Sequence, residues 1–544
     1  MLHPTIFNTS QVCHQLGVRY SVLSPGSRNA PLLISFARHE KVEKVIVPDE
    51  RAAGFIALGI AQYTKTPVVL SCTSGTALLN YAPAVAEAYY REIPLILLSA
   101  DRPPELIDQR DGQTIRQYEA LKNHVKRTTQ LPVLKNTSDS SSYLDNLIET
   151  IKLSDESPKG PVHLNIPFTE PFYPKSDQKD LIFSEVTITE HTTHSETNSI
   201  NGIPDGKKIM VLIGQSDTDP ALNRALATLS PYIPVIRSPL NNLDSGISHV
   251  DAFIKDQASL KPDILLTAGL SVLSKNLKTF LRKYMPELHY HFDPSGVEVD
   301  TYGSGPKILK QPIESILSLL AGDMADSDYL AEWKTRESKA KFAISSFIKR
   351  ARFSETTASH FIFNSIPKDS ILHLSNSMPV RYADLFGVPA HVETYCNRGT
   401  SGIDGCTSTA LGTALVSQKL NLLVTGDLAF LYDRNAFFHN YDVPNLRVVV
   451  INNQGGGIFR LINGPSSQPE LETYFETRHN KTAEYICAEN NLDYLTASDS
   501  AELEEAWLSF LGPSKEAKVL EVFTDPKINE SEYKKLRNYI NEQC

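Results

Sequence analysis

Two short stretches late in the chain carry residue types that could hold a metal and a phosphate. Gly426-Asp427-Leu428 follows the apolar run Leu422–Thr425, and Asn452-Asn453-Gln454-Gly455-Gly456-Gly457-Ile458-Phe459 follows Val448–Ile451. A helix-like segment, Phe430–Asn440, lies between them, so the whole reads as a βαβ unit of a parallel sheet. Ligands of such sheets sit beyond the carboxyl ends of the strands, where Asp427 and Asn453 both fall. A carboxylate, an amide oxygen and a glycine backbone are hard oxygen ligands suited to Mg²⁺ or Ca²⁺, and magnesium keeps part of its shell for phosphate oxygens. The glycines let backbone approach closely. No Gly-Lys-Ser/Thr follows them, which excludes a P-loop. The same residues also suit a plain βα turn with an aspartate cap and a mobile glycine loop.

A second candidate lies near the start. Glu50 stands between the β-branched run Val45–Val47 and a small-residue helix, Ala52–Gln62. A carboxyl buried at a strand end has a raised pKa and can share a proton with a nitrogen base. Asp49-Glu50-Arg51 equally reads as an ordinary solvated turn. Arg28, Arg102, Lys275, Arg381 and Arg398 all fall at loop positions. Arginine forks match carboxylates in bidentate fashion. Singly, each suits a surface role; together, at strand ends of an acidic chain, they point to polyanionic small substrates.

The elements that must position these groups follow an α/β plan. Tyr20–Leu23, Val45–Val47, Val68–Cys72, Leu95–Ser99 and Val162–Ile166 read as strands, alternating with helices at Thr9–Leu16, Pro31–Arg38, Ala52–Gln62 and Ala82–Tyr90. A polar stretch rich in Ser, Thr, Glu and His reads as a linker. A second series of strands begins at Ile209–Gly214 and continues at Pro234–Ile236, Ile264–Thr267 and His289–Phe292. It lacks GxGxxG after its first strand, so it reads as a scaffold and not a dinucleotide site. The expected layout is a first domain at 1–178, a linker at 179–208, a central α/β domain at 209–324, a charged helical connector at 325–352 and a last domain at 353–544. Arg51–Arg102 and Arg398–Asn453 repeat one plan, with 27 positions from Ser74 to Asp101 and 26 from Gly426 to Asn452. That spacing predicts that the first and last domains are structural duplicates with a ligand between copies, although all βαβαβ units look alike.

Composition narrows the function classes. A net charge of −10 and a pI near 5.9 argue against general nucleic-acid or anionic-membrane binding. No apolar run approaches the roughly 20 residues of a spanning helix, and Met1-Leu2-His3-Pro4 opens no signal peptide. Six scattered cysteines form no CxxC or zinc-like cluster. The expectation is a cytoplasmic protein with reduced thiols.

The motifs resemble a known family. Gly-Asp-x, a helix-containing gap and Asn-Asn is similar to the metal and diphosphate motif of thiamine-diphosphate enzymes, with Leu428 where the general pattern has a third glycine. Ser-Pro-Gly-Ser-Arg (24–28), Asp-Glu-Arg (49–51), Thr-Ser-Gly-Thr (73–76) and Ala-Asp-Arg-Pro-Pro-Glu-Leu (100–106) occur in order. Gln113 with Ile115-Arg116-Gln117 and Asn-Arg-Gly-x-Ser-Gly-Ile-Asp-Gly (397–405) follow, before Gly-Asp-Leu-x-x-Leu-Tyr-Asp (426–433) and Asn-Asn-x-Gly-Gly-x-Ile-Phe (452–459). Together they look like the 2-succinyl-5-enolpyruvyl-6-hydroxy-3-cyclohexene-1-carboxylate synthase (MenD) family, a branch that does not keep the third glycine.

The resemblance implies three doubly wound parallel-sheet α/β domains: pyrimidine-binding, central and diphosphate-binding. Cofactor would sit between the first domain of one subunit and the third of its partner, so a homodimer is the minimum unit and a homotetramer is common in the family. Asp427, Asn453 and the Gly455 carbonyl would hold Mg²⁺ or Mn²⁺, with Gly426, Leu428 and Ile458 beside the cofactor and Ile403 propping it in a bent form. Glu50 would bond the aminopyrimidine ring. The implied reaction decarboxylates 2-oxoglutarate and adds the succinyl carbanion in a 1,4 sense to isochorismate, within menaquinone biosynthesis. Ser377, Arg381 and Arg398 would hold the succinyl carboxylate, and Ser27, Arg28, Arg102, Gln113 and Lys275 the isochorismate. Ile458, Phe459 and Ile462 would form an apolar wall. Gly464–Tyr474 reads either as a mobile lid or as a surface loop. An acetolactate synthase-like enzyme or 2-oxoacid decarboxylase would need fewer cations. A silent diphosphate-binding regulator would not need Glu50, Asp427 and Asn453 together.

Overall fold

Apolar runs bounded by loops become strands of three separate sheets, and every strand pairing among the described residues is parallel. The computed structural model describes residues 3–134, 138–170, 172–174, 183–188, 206–317 and 326–544. In the first domain the strands are β1 (Tyr20–Leu23), β2 (Glu43–Ile46), β3 (Val68–Cys72), β4 (Leu95–Asp101), β5 (Thr128–Gln130) and β6 (Val162–Pro167). Those of the central domain are β7 (Ile209–Ile213), β8 (Val235–Ile236), β9 (Ile264–Ala268), β10 (Leu288–Phe292) and β11 (Lys307–Leu309). The third domain holds β12 (Ile371–Leu374), β13 (Glu393–Cys396), β14 (Asn421–Gly426), β15 (Leu446–Asn452), β16 (Asp493–Ala497) and β17 (Lys518–Phe523).

The first sheet runs β2-β1-β3-β4-β6-β5 and the third β13-β12-β14-β15-β17-β16. Numbered within its own domain, each is second-first-third-fourth-sixth-fifth. The two domains are therefore copies of one topology, as the repeat predicts. The central sheet has a different order, β11-β10-β9-β7-β8.

One helix pair forms the centre of the contact between the two copies. Glu50–Thr64 and Cys406–Val416 are built largely of Ala, Gly and Thr and are buried along most of their length. Small residues let the helix backbones touch. A Cβ at Gly59 would lie 2.1 Å from the Thr409 carbonyl oxygen, and one at Gly412 would lie 2.1 Å from that of Ile56. The approach is reciprocal, and Thr413 Oγ1 donates to the Gly59 carbonyl at 3.1 Å. A single apolar core runs through the pair, from Val68 and Leu70 of β3 to Leu423 of β14 and Val448 of β15.

The charged connector is the helix Ser327–Ile348, capped by Asp326, whose Oδ1 accepts from Asp328 N at 2.9 Å and Tyr329 N at 3.1 Å. It buries Tyr329, Leu330 and Trp333. Most of the expected linker lies outside the described residues. Within 183–188, Ser184 N donates to Asn8 and Val186 N to Gln15. The helix expected over Phe430–Asn440 is instead a helix at Asp427–Tyr432 followed by a 3₁₀ turn at Arg434–Phe437. Asp433 breaks it. Its carboxyl is buried and accepts from Ser408 N at 2.6 Å and Ser408 Oγ at 2.8 Å, which fixes a non-helical residue at that point. No helix among the described residues is long and apolar enough to cross a membrane.

Candidate active site

The pairing of β14 with β15 sets Gly426 beside Ile451, so the loops that follow emerge together at the carboxyl edge. Asp427 is buried at the first position of its helix. Its Oδ1 accepts from Leu428 N at 2.6 Å and its Oδ2 from Gly455 N at 3.0 Å, with His479 Nε2 3.4 Å away. A Cβ at Gly455 would stand 2.7 Å from the Glu476 carbonyl, so only glycine brings the backbone this close. Asn453 is buried, its Nδ2 lying 3.5 Å from Glu355 Oε2, and its Oδ1 has no hydrogen-bond partner. An orphaned buried amide oxygen beside a buried carboxylate is costly by itself and is satisfied by a cation. The oxygen set of Asp427, Asn453 and the Gly455 carbonyl therefore fits Mg²⁺ or Mn²⁺. Among the described residues no cluster of three or more His, Cys, Asp or Glu could hold a metal by itself. A site with one carboxylate depends on its ligand's phosphates to complete the shell.

Glu355 and His479 join this group although neither stood out in the sequence. Burial, then the Asp427 charge, pushes the Glu355 carboxyl up to about 8, against an opposing bond from Asn453. Glu355 lies 98 positions from Asn453, and no local pattern links them.

The loop beyond Gly455 is pinned from within. Arg460 is buried and reaches Glu476 through two nitrogens and Glu472 at 2.7 Å. The far part of Gly464–Tyr474 is tied to Arg460 through Glu472. Ile458 packs on the third-domain core, Phe459 meets Phe475 at 5.8 Å between ring centres, and Ile462 is 39 % exposed.

A second cluster forms at the tips of β12 and β13. Ser377 occupies φ 75°, a left-handed backbone that non-glycine residues rarely adopt, and caps the helix Met378–Phe386. Arg381 donates to the Ser377 carbonyl, and Arg398 Nη1 donates to Asn376 Oδ1 at 3.0 Å. Burial and then the nearby Arg398 charge depress the Arg381 pKa, as expected of cations held together for an anion. Ile403 leaves an apolar side chain 37 % exposed on the same loop system.

The central domain adds a cation here, one helical turn from the expected one. Lys275 is exposed at the start of the helix Lys275–Lys283. Lys278 is half-buried, and its pKa is lowered by burial and then by Arg398. Lys278 stands one turn along this helix from Lys275 and feels the Arg398 charge.

In the first domain Glu50 is half-buried at the start of its helix. Burial lifts its carboxyl above the ordinary range, a backbone hydrogen bond opposes this, and the Asp49 charge adds to it. Asp49 caps the helix through Arg51 N at 2.8 Å and Ala52 N at 3.3 Å. Arg28, following Ser27 in a 3₁₀ turn, is buried; it donates to the Phe168 carbonyl at 2.6 Å and stacks over Phe172 at 4.6 Å. Arg102 holds the Gly112 carbonyl through Nε at 3.1 Å and pairs with Asp111 at 3.4 Å. That contact anchors Gln113, which is exposed at φ 54° against Gly75. A cavity of about 360 Å³ opens beside Arg102, lined by Asp101, Ile115, Arg116 and Gln117 among others.

Among the described residues, no hydrogen bond or ion pair joins Glu50 to the oxygen set of the same chain. Among the described residues, Asp427 and Asn453 bond only third-domain partners. On the Glu50 side, Arg51 Nη2 reaches the Tyr432 carbonyl at 2.7 Å and Asp49 accepts from Asn435 at 2.6 Å. The same-chain third domain thus meets the Glu50 turn through residues 432–435 and not through its oxygen set.

Two α/β copies with complementary chemistry at their strand tips match the layout of a thiamine-dependent enzyme, and the comparisons agree. Residues 9–121 match the family model "Thiamine pyrophosphate enzyme, N-terminal TPP binding domain". A 2-succinyl-5-enolpyruvyl-6-hydroxy-3-cyclohexene-1-carboxylate synthase of Cytophaga hutchinsonii is 41 % identical, covering 99 % of each chain. Synthases of the same name from Christiangramia forsetii and Bacteroides fragilis strain YCH46 are 37 % and 33 % identical, over 97 % and 96 % of this chain and 97 % of each relative. The chain belongs to the 2-succinyl-5-enolpyruvyl-6-hydroxy-3-cyclohexene-1-carboxylate synthase family of thiamine-diphosphate enzymes.

Proposed function

We propose that the protein is a transferase that decarboxylates 2-oxoglutarate and adds the succinyl unit to the conjugated alkene of isochorismate, a step of cytoplasmic menaquinone biosynthesis. The observation that carries the reading is the buried, unpartnered Asn453 Oδ1 in the loop whose Gly455 N–H donates to the Asp427 carboxylate, at the edge of β14 and β15. Bound thiamine diphosphate supplies an electron sink that lets a 2-oxoacid lose CO₂ and react as a nucleophile.

The chain's own residues do the rest. Asp427, Asn453 and the Gly455 carbonyl hold Mg²⁺ or Mn²⁺, with Gly426, Leu428, Ile403 and Ile458 around the cofactor. Glu50 holds a proton at the pyrimidine ring nitrogen; its raised pKa suits a carboxyl that shares that proton. Ser377, Arg381 and Arg398 bind the carboxylate of the succinyl group, since two guanidiniums held side by side favour an anion. Ser27, Arg28, Arg102, Gln113 and Lys275 bind isochorismate. Ile458, Phe459 and Ile462 would form an apolar wall that keeps water from the substrate site. Because no contact among the described residues joins Glu50 to its own chain's oxygen set, the complete site takes a partner's first domain, and the functional unit is a homodimer or a larger even assembly.

The test follows isochorismate absorbance with purified protein, thiamine diphosphate, Mg²⁺ and 2-oxoglutarate, omitting each in turn. Loss of isochorismate that requires every component is expected. CO₂ release without loss of isochorismate would make the protein a 2-oxoacid decarboxylase, and silence on both counts would contradict the enzymatic reading.

A further inference from the structure

The loop that carries Arg398 is held from outside its own domain. Glu87, fully buried on the first-domain helix Ala82–Tyr90, accepts from Gly399 N at 2.8 Å, Thr400 N at 2.7 Å and Thr400 Oγ1 at 2.8 Å. Arg91, one turn on, donates to the Cys396 carbonyl at 2.7 Å, and Gln215 of the central domain donates to the same oxygen at 2.8 Å. Gly399 fits only as glycine, because a Cβ there would lie 2.8 Å from the Glu87 carbonyl oxygen and 3.1 Å from Arg91 Cγ.

A fully buried carboxylate is tolerated only when donors satisfy it. Here three donors do so, and all belong to one loop. From the other side Asn376 Nδ2 donates to the carbonyls of Asn397 and Gly402, each at 2.7 Å, while its Oδ1 receives Arg398. The Arg398 backbone is therefore suspended between a first-domain carboxylate and a third-domain amide.

We propose that Glu87 is a positioning residue that fixes loop 396–400, and through it the Arg398 guanidinium, in the substrate site of its own chain. The inference rests on reading Arg398 as a carboxylate ligand and the cofactor site as shared across subunits. Each first domain then serves two sites. Glu50 acts in the site built on the partner's third domain, and Glu87 braces the site built on its own.

Glu87→Gln keeps the shape but turns one acceptor into a donor facing N–H groups. Its KM for 2-oxoglutarate is expected to rise about tenfold, with kcat and thiamine-diphosphate affinity within about twofold of wild type. Thr400→Val, which removes only the hydroxyl bond, gives a smaller KM rise in the same direction. A Glu87→Gln enzyme with unchanged KM, or with kcat, KM and cofactor affinity all degraded together, overturns the positioning role. Mixed dimers of Glu50→Gln and Glu87→Gln chains, purified through two tags, locate the brace. They contain one site with both residues intact, so they should show a wild-type KM and about half the wild-type kcat. A mixed-dimer KM as high as that of Glu87→Gln overturns bracing within the chain. A Glu50→Gln homodimer of wild-type activity instead overturns the functional reading beneath the proposal.

Discussion

In the first domain the carboxyl edge of the sheet presents a half-buried glutamate with a raised pKa, arginines and a strained glutamine. In the third, the equivalent edge presents a buried carboxylate, an unpartnered amide oxygen and closely packed glycines. Strand order is identical in the two domains, so topology does not create the difference. It arises in the residues at the strand tips and in how much of each tip is desolvated. The first copy sets a carboxyl with a raised pKa at its edge, and the third sets a buried carboxylate beside a glycine loop. The helix pair Glu50–Thr64 and Cys406–Val416 joins the copies by reciprocal glycine contacts, which makes the scaffold symmetric while the chemistry is not.

Breaking the first copy's chemistry should have the largest effect. Glu50→Gln is expected to lower kcat by about 100-fold or more, the range of a lost acid–base group, while thiamine diphosphate still binds in a fluorescence titration. Breaking the carboxylate cluster comes next. Arg398→Ala should raise the KM for 2-oxoglutarate by about 10- to 100-fold, and Arg381→Lys, which keeps the charge and loses the fork, should raise it less. Steady-state kinetics with 2-oxoglutarate varied at saturating isochorismate checks both.

The scaffold itself can be probed through its symmetry. Gly59→Ala and Gly412→Ala each force a methyl against a carbonyl oxygen across the helix pair. Each should cost about 1–3 kcal/mol, read as a lower Tm. Because both open one crossing, the double variant should cost less than the sum. A neutral single variant would show that the crossing is looser than its contacts indicate.

The smallest expected effect concerns pH. The folded Glu50 carboxyl has a raised pKa, so its contribution to stability is fully present below the unfolded carboxyl pKa and is lost as pH rises through the folded value. Glu50→Gln removes that loss. Without cofactor its Tm should match wild type below the unfolded carboxyl pKa, exceed it as pH rises through the folded value, and hold a constant margin above that. A constant offset at all pH values would show that Glu50 is not destabilised by burial.

Much of this arrangement is legible in the sequence where apolar runs are continuous. Val68–Cys72 and Val448–Ile451 are recognisable because loops bound unbroken apolar residues, and fully buried parallel strands need that composition. Edge strands are harder to see. Thr128–Gln130 and Lys307–Leu309 are three residues long and partly polar; among inner strands, Ile371–Leu374 is short and interrupted by His373. Asp427, Asn453 and Gly455 stand out because a strand end and a glycine run mark them locally. Glu87 and Glu355 do not, since their partners lie 312 or more and 98 positions away and only the folded chain brings them together. Lys278 is marked by no local pattern either, because the residue that a helix turns toward Arg398 depends on its rotation, which packing sets.

The central claim is that the third domain binds the metal-diphosphate end of the cofactor and that the first domain supplies its activating carboxyl. Calorimetric titration of thiamine diphosphate, with and without Mg²⁺, into wild-type, Asp427→Asn and Glu50→Gln proteins tests it most directly. Metal-dependent binding should be retained by Glu50→Gln and weakened about 10- to 100-fold in Asp427→Asn. Equal binding by Asp427→Asn and wild type, or binding indifferent to Mg²⁺, would contradict the account.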